Sequence, residues 1–316
     1  MDTVRADRAF EKLDRAIAAE RARLARSGPS ERAGAYATEL DRLFLEEIDA
    51  SAALCGAALK QEEVAALVTF GVALGGHRLD AYVSVADYAA ALGFVREAPL
   101  PGRRRPFLRL DEIVELHALA TARRPAARPG VWRSENAAAL SGGVVPPPPW
   151  LIPREAAAFA ARIGPGPLAT ESPVFWAAAA LARLHRIHPF TAGNGRTARL
   201  VANLLLRRTG HPPFLVRRSA VHRYAAALER AEAGDPWPLA HIVAGSVLSG
   251  LTRIVTAVEG SEGALLPLAA FAGASDRAAL YKAAQRGTLR SIRRGAALLT
   301  SAAWVASYQA SRKAPP

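Results

Sequence analysis

Cysteine is almost missing from this sequence. Cys55 stands alone among 316 residues, which excludes an intrachain disulfide and leaves no CxxC pair for zinc or dithiol chemistry. A reducing, cytoplasmic compartment fits that usage. Lysine is nearly as scarce, with only Lys12, Lys60, Lys282 and Lys313. Almost all of the 41 cationic side chains are therefore arginines, set against 28 acids for a net charge of +13. Arginine favours planar, bidentate contacts to phosphate, although an arginine-rich proteome would write the same excess with no such role. Long apolar runs are lacking too. The run 136–153 is broken by proline and glycine, and 236–252 is short against the ~20 helical residues that span a bilayer, so no membrane partner is expected. The charged start, Met1 to Asp7, leads into a polar helix pattern, unlike a secretory signal. His77, His117, His185, His211, His222 and His241 show no HExxH or similar spacing and read as structural or surface residues.

What is present is alanine and helical periodicity. Half the chain is apolar, 51%, and 22% is charged, with a mean hydropathy of +0.07, so the chain reads as globular and mainly α. Its length suggests two or three compact units. Helix patterns run over about 8–26, stopped by Gly28-Pro29, over 31–54, and from Gln61 to Gly75-Gly76. The proline- and arginine-rich run 99–106 reads as a surface connection. Asp111 caps a helix through Leu119. Short apolar pieces from Gly130 to Val145 around a glycine turn suggest a β-hairpin ended by Pro146 to Pro149. Helices return over 173–187, 197–208, 221–233 and 237–258. Residues 259–263 then form a polar, glycine-bearing linker.

The informative segment is His188-Pro189-Phe190-Thr191-Ala192-Gly193-Asn194-Gly195-Arg196-Thr197-Ala198-Arg199. Pro189 disfavours α conformation at His188, so the preceding helix should stop there with the imidazole at its mouth. Gly193 and Gly195 let backbone N–H groups converge ahead of a helix starting near Arg196. A glycine-rich turn feeding a helix N-terminus is an anion cradle. Two cations in a first turn, Arg196 and Arg199, oppose the macrodipole unless an anion sits between them. A neutral histidine beside polyphosphate suits general-base chemistry on a hydroxyl.

This segment resembles the Fic (Fic/Doc) motif, His-Pro-Phe-x-Asp/Glu-Gly-Asn-Gly-Arg-x-x-Arg, at every defining position but one: Ala192 stands at the acidic position. The likeness extends over about 111–249, with Arg133-Ser134 and Val144-Val145-Pro146-Pro147-Pro148 similar to the family's flap. It implies a helical core with a hairpin flap, and transfer of AMP from ATP to a Ser, Thr or Tyr hydroxyl of a protein target. In that likeness His188 is the base, Gly193, Asn194 and Gly195 form the anion hole, and Arg196 and Arg199 hold phosphates. Tyr224 borders the adenine or, as a lone aromatic on a helix, packs in the core. Val144 and Val145 of the flap pin the target by strand addition. Phe190 is read as a core anchor. The family's magnesium ion would lose its carboxylate ligand at Ala192, which leaves open a slow or metal-poor transferase, transfer of another phosphate-linked group, or nucleotide binding without turnover.

Ser51-Ala52-Ala53-Leu54-Cys55-Gly56 resembles the family's inhibitory helix, Ser/Thr-x-x-x-Glu-Gly, with Cys55 in the glutamate's place; Ser51 and Gly56 at a helix end also fit an ordinary C-cap. The last fifty residues read as helix, turn with Ser275 as N-cap, helix over 276–285, strand over 289–292, turn, strand over 297–299 and a final helix over 301–311, similar to an excisionase or MerR-type winged helix-turn-helix. Eight basic residues against Asp276 concentrate charge there, and Arg277, Tyr281, Lys282 and Gln285 would face a DNA groove with Arg293 and Arg294 on the wing. The same face would also suit a solvated tail or a protein contact. The expected organisation is an N-terminal helical region (1–104, with the altered inhibitory helix near 40–56), a Fic core (105–258), the linker (259–263) and the winged helix (264–316). Two functions stand: a protein adenylyltransferase with a DNA-binding module, or a DNA-binding regulator whose Fic domain senses nucleotide or peptide. A homodimer is left open.

Overall fold

The computed structural model describes residues 7–26, 29–57, 59–99, 106–260, 266–271, 277–294, 297–301, 304–306 and 308–309. Among them the chain forms helices α1 (Arg8–Arg26), α2 (Pro29–Leu54), α3 (Gln61–Phe70), α4 (Leu79–Glu97), α5 (Leu110–Ala120), α6 (Ile152–Ile163), α7 (Pro173–Ile187), α8 (Asn194–Arg208), α9 (Val221–Glu232), α10 (Trp237–Gly260) and α11 (Arg277–Gln285). Three short strands follow or flank the last of these: β1 (Leu266–Pro267), β2 (Ile292–Arg294) and β3 (Ala297–Thr300). Contacts divide the chain into two units, Met1–Ala19 with Leu40–Leu251, and Glu20–Glu39 with Thr252–Pro316.

The first unit is built around α7 and α8. Ser172 caps α7 by accepting from the Phe175 N–H at 3.3 Å, with Pro173 at the first helical position, where its missing N–H costs nothing. Nearly every residue of α8 is buried, from Asn194 to Arg208, which is why its pattern lacks a polar stripe. Helices α4 and α5 pack on α8, while α6 and α9 pack on α7. At the far end of α8 the Arg208 guanidinium meets the Glu112 carboxylate through two hydrogen bonds of 2.8 and 2.7 Å, with both side chains buried. That fork pins the end of α8 to the start of α5.

Several sequence expectations are corrected. Helix α3 ends at Phe70, not near Gly75, because Gly71 adopts φ 69° and its N–H closes onto the Leu67 carbonyl, a left-handed C-cap. Helix α4 was not foreseen: Ser84 and Asp87 are buried alongside Tyr82, Val85, Tyr88 and Leu92, so apolar and polar faces do not separate in the sequence. Helix α6 was hidden by the proline run before it, although Pro153 sits where a helix start tolerates it. Helix α10 is continuous through Glu259 and Gly260 and, by length and composition, is apolar enough to cross a bilayer. Its Leu239, Ala240, Val243, Ala244, Val247 and Leu251 nevertheless lie in the protein core. No strand pair forms between 131 and 149. Trp132 instead makes a lone antiparallel bridge to Phe190, and a turn closes where Leu140 donates to the Val144 carbonyl at 2.9 Å and Gly143 donates to Leu140 at 2.8 Å. The four consecutive prolines at 146–149 carry no N–H with which to continue a ladder.

The second unit holds a three-stranded antiparallel sheet in the order β1-β3-β2, with Leu266 opposite Thr300 and Arg293 opposite Leu298. Leu268, Leu280, Ala283, Leu289 and Val305 form a small core beneath it. Residues 268–271 form a 3-10 turn after β1 rather than an α-helix, and the first wing strand lies at 292–294 rather than 289–292. The Thr300 hydroxyl donates to the Arg290 carbonyl at 2.8 Å. Residues 304–306 and 308–309 are helical. The Gly28 stop, the connection 100–105, linker residues 261–263, the Ser275 cap, Arg312 and Lys313 lie outside the described residues, as do the side chains of Arg277 and Arg294.

Candidate functional site

The chemistry-bearing loop is locked by its own side chains. Asn194 accepts from the Phe190 N–H at 2.9 Å through Oδ1 and donates to the Phe190 carbonyl at 2.8 Å through Nδ2, so one amide ties both ends of the turn. His117 stacks on the Phe190 ring with centroids 3.6 Å apart. Its Nδ1 accepts from the Gly130 N–H at 3.0 Å, which leaves Nε2–H to donate to the Ala192 carbonyl at 2.9 Å. Burial pushes the His117 imidazole down to about 4, in keeping with a neutral strut. Gly193 turns the chain at φ 81°, and a Cβ there would meet the Thr121 methyl at 3.0 Å, so this position demands glycine. Helix α8 starts at Asn194, two residues before the expected Arg196.

His188 ends α7 in the left-handed region, φ 50° and ψ 57°, rather than in the extended conformation usual before proline. Its Nδ1 lies 3.2 Å from the His185 carbonyl. A carbonyl only accepts, so Nδ1 carries the proton and Nε2 holds a free lone pair. Burial and the neighbouring His185 push the His188 imidazole down to about 4; it is neutral at pH 7. Arg133, itself buried, donates to the His188 carbonyl at 2.7 Å, to the Glu135 carbonyl at 2.8 Å and to the Pro147 carbonyl. One guanidinium thus fastens both arms of the flap segment to the histidine's backbone. Beside His188 opens a cleft of about 570 Å³ lined by flap residues 135–141, His185, Thr191, Ala225, Leu228, Glu229 and Glu232. Val144 is half-buried, and Val145 is exposed.

The two arginines are placed unlike a pair in a first turn. Arg196 donates to the Ala120 carbonyl at 2.9 Å and to the Ser84 hydroxyl at 3.2 Å, so protein groups occupy one arm of its fork. Arg199 lies in the second turn of α8. It donates to the Ser51 hydroxyl at 2.8 Å, with the Cys55 sulfur at 3.9 Å, and its buried Nε has no hydrogen-bond partner among the described residues. The end of α2 therefore rests on Arg199, with Ser51 and Cys55 against the guanidinium and Gly56 closing the helix at φ 75°. Burial works against the Arg199 charge, but Tyr88, Tyr224, Cys55 and Glu47 outweigh it and hold the group charged. Tyr224 is buried, its hydroxyl toward Arg199. Its ring belongs to the core, one of the two placements that the sequence left open.

Glu47 escaped the sequence reading. It sits one turn before Ser51 on α2, accepts from the Tyr88 hydroxyl at 2.6 Å and is buried. Burial raises its carboxyl to about 7. An acid spaced among buried Phe44, Ile48 and Ser51 was the signal. The His185–Glu232 pair was missed as well: His185, read as a structural or surface histidine, hydrogen-bonds through Nδ1 the Glu232 carboxylate on α9. In the second unit, Lys282, Gln285 and Arg293 are exposed, whereas Tyr281 packs against the small core. Arg290, counted among the basic residues, lies over the Trp304 ring at 4.5 Å and pairs with Glu259.

Residues 107–206 match the Fic/DOC family. The chain is 27% identical over 213 residues to protein adenylyltransferase Fic of Aedes aegypti, covering 64% of this chain and 40% of that protein. It is 29% identical over 201 residues to the protein of the same name in Nematostella vectensis, covering 64% and 46%. The chain thus spans less than half the length of these curated relatives. Among solved structures it resembles Fic-1 (aa134–508) of C. elegans, TM-score 0.69 at 24% identity over 80% of this chain and 74% of that one. It also resembles a Fic family protein of Desulfovibrio desulfuricans G20, TM-score 0.62 at 19% identity over 94% and 96%. These likenesses speak to fold.

Proposed function

From the Fic/DOC family domain that this chain carries, we propose that it transfers AMP from ATP to a hydroxyl side chain of a protein. The observation that carries the reading is His188: a neutral imidazole with Nδ1 anchored and Nε2 free, at the edge of a cleft beside a helix N-terminus. A serine, threonine or tyrosine hydroxyl placed there gives its proton to Nε2 as its oxygen attacks the α-phosphorus. The new O–P bond forms, the bond to the β-phosphate oxygen breaks, and the electron pair leaves with pyrophosphate. Backbone N–H groups of Gly193, Asn194 and Gly195, with Arg199, face the phosphates. Val145, exposed on the flap, offers an edge for an extended target segment.

A magnesium ion does not fit the residues present. Ala192 offers a methyl group where a carboxylate would ligate, and its carbonyl is taken by His117. No step here runs through a metal. Arg196, its fork partly held by Ser84 and Ala120, gives some support to the other reading, a nucleotide sensor without turnover. The test is incubation with ATP labelled at the α- or at the γ-phosphate. Protein-bound label from the α-position only supports transfer of AMP; none from either supports the sensor. For the second unit the reading is duplex DNA binding, supported by exposed Lys282, Gln285 and Arg293.

A further inference from the structure

Gly195 lies where the side chains of Arg199 and His185 meet. A Cβ built on it would lie 3.6 Å from Arg199 Nη1 and 3.7 Å from His185 Nε2. The glycine therefore leaves both nitrogens uncovered by a side chain at the start of α8. His185 is held there from behind. The Glu232 carboxylate, its side chain 2% exposed, can only accept, so His185 Nδ1 carries a proton in either charge state. Its Nε2 is then a bare lone pair when the ring is neutral and a charged N–H donor when the ring is protonated. The His188 ring stands edge-on to it, centroids 5.5 Å apart.

We propose that His185, backed by Glu232, takes up a proton when nucleotide binds and donates Nε2–H to a phosphate oxygen above Gly195, supplying with Arg199 the positive charge that Ala192 denies to a metal ion. The inference rests on the proposed nucleotide transfer. Two histidines one turn apart divide the work. His188 accepts the hydroxyl proton, and His185 stays protonated through the step, neutralising charge that builds on the phosphate oxygens as the bond to pyrophosphate breaks. No proton passes between the rings. The cleft that His185 and His188 line also carries Arg133 and Glu135 from the flap segment and Glu229 and Glu232 from α9, while Arg199 from α8 approaches at Gly195. Of these, Glu232 alone is hydrogen-bonded to the His185 ring among the described contacts.

The test is calorimetry of ATP binding to the full chain in EDTA, run in buffers of differing ionisation enthalpy. Wild type and His188→Ala should both take up a proton on binding. His185→Gln should take up less and bind about ten- to a hundredfold more weakly, the loss of a charged hydrogen bond. Glu232→Gln retains an acceptor for Nδ1–H and should recover toward wild-type affinity as the pH is lowered. Addition of magnesium to the double variant Ala192→Asp, His185→Gln should restore ATP affinity. ATP binding by wild type with no proton uptake, or equal affinity in His185→Gln, overturns the role of His185 while leaving the transferase reading intact. Absence of ATP binding by wild type removes both.

Discussion

At the scale of single residues the account turns on protonation and on one missing carboxylate. His188 and His117 are both held neutral by burial, down from 6.5 to about 4. Between those values the unfolded chain binds more protons than the folded one, so the stability they contribute is full above pH 6.5 and is lost as the pH falls toward 4. Glu47, raised from 4.5 to about 7, works in the opposite sense: its contribution is full below pH 4.5 and is lost as the pH rises through 7. Two groups outweigh one, so the thermal midpoint should fall between pH 6.5 and pH 4.5. Removing the opposing group in Glu47→Gln should steepen that fall; a flatter profile would contradict the assignment. At Ala192 the expected outcome is a gain. Ala192→Asp with magnesium should transfer AMP faster than wild type, because one or two carboxylates plus substrate oxygens suffice to hold that ion. A rate no higher than wild type would point to the sensor reading.

At the scale of elements, the buried fork between Arg208 and Glu112 is the joint that sets α8 against α5, and hence the loop against its His117 strut. Removing one partner strands a buried charge, so Arg208→Ala should cost about 3–5 kcal/mol in denaturant unfolding, whereas Arg208→Met with Glu112→Leu should cost much less. A loss under ~1 kcal/mol for Arg208→Ala would mean that water reaches the pair. The same scale shows what the sequence could disclose. The loop from His188 to Arg199 was legible because proline, two glycines and paired arginines leave few local conformations. The position of Ser51 and Cys55 against Arg199 followed from a resemblance. Helix α4 was illegible because Asp87 and Ser84, polar yet buried, erase its stripe; Asp87 accepts hydrogen bonds from Arg123, 36 residues away. The flap was misread as a hairpin because its order comes from Arg133 reaching three carbonyls, a tertiary device that no periodicity announces.

At the scale of the whole molecule, the excess of +13 is spread over arginines with different fates. Arg208 is buried in its fork with Glu112, Arg199 is buried against Ser51, Arg290 is stacked on Trp304, and Lys282 and Arg293 are exposed. If the second unit meets duplex DNA through them, log affinity of the full chain should fall with log salt, and Arg293→Ala should flatten the slope by about 0.9 while weakening all sequences alike. Gln285→Ala should shift sequence preference instead. An affinity indifferent to salt would make this a protein-contact surface. The central claim is that the cleft beside His188 moves AMP onto protein. The direct measurement is intact-mass and peptide mass spectrometry of a lysate, and of the chain itself, after incubation with ATP. Wild type should add the mass of AMP to hydroxyl side chains, and His188→Ala should add none while binding ATP almost as tightly. Labelling by His188→Ala at the wild-type rate, or ATP-binding wild type that labels nothing, would contradict the account.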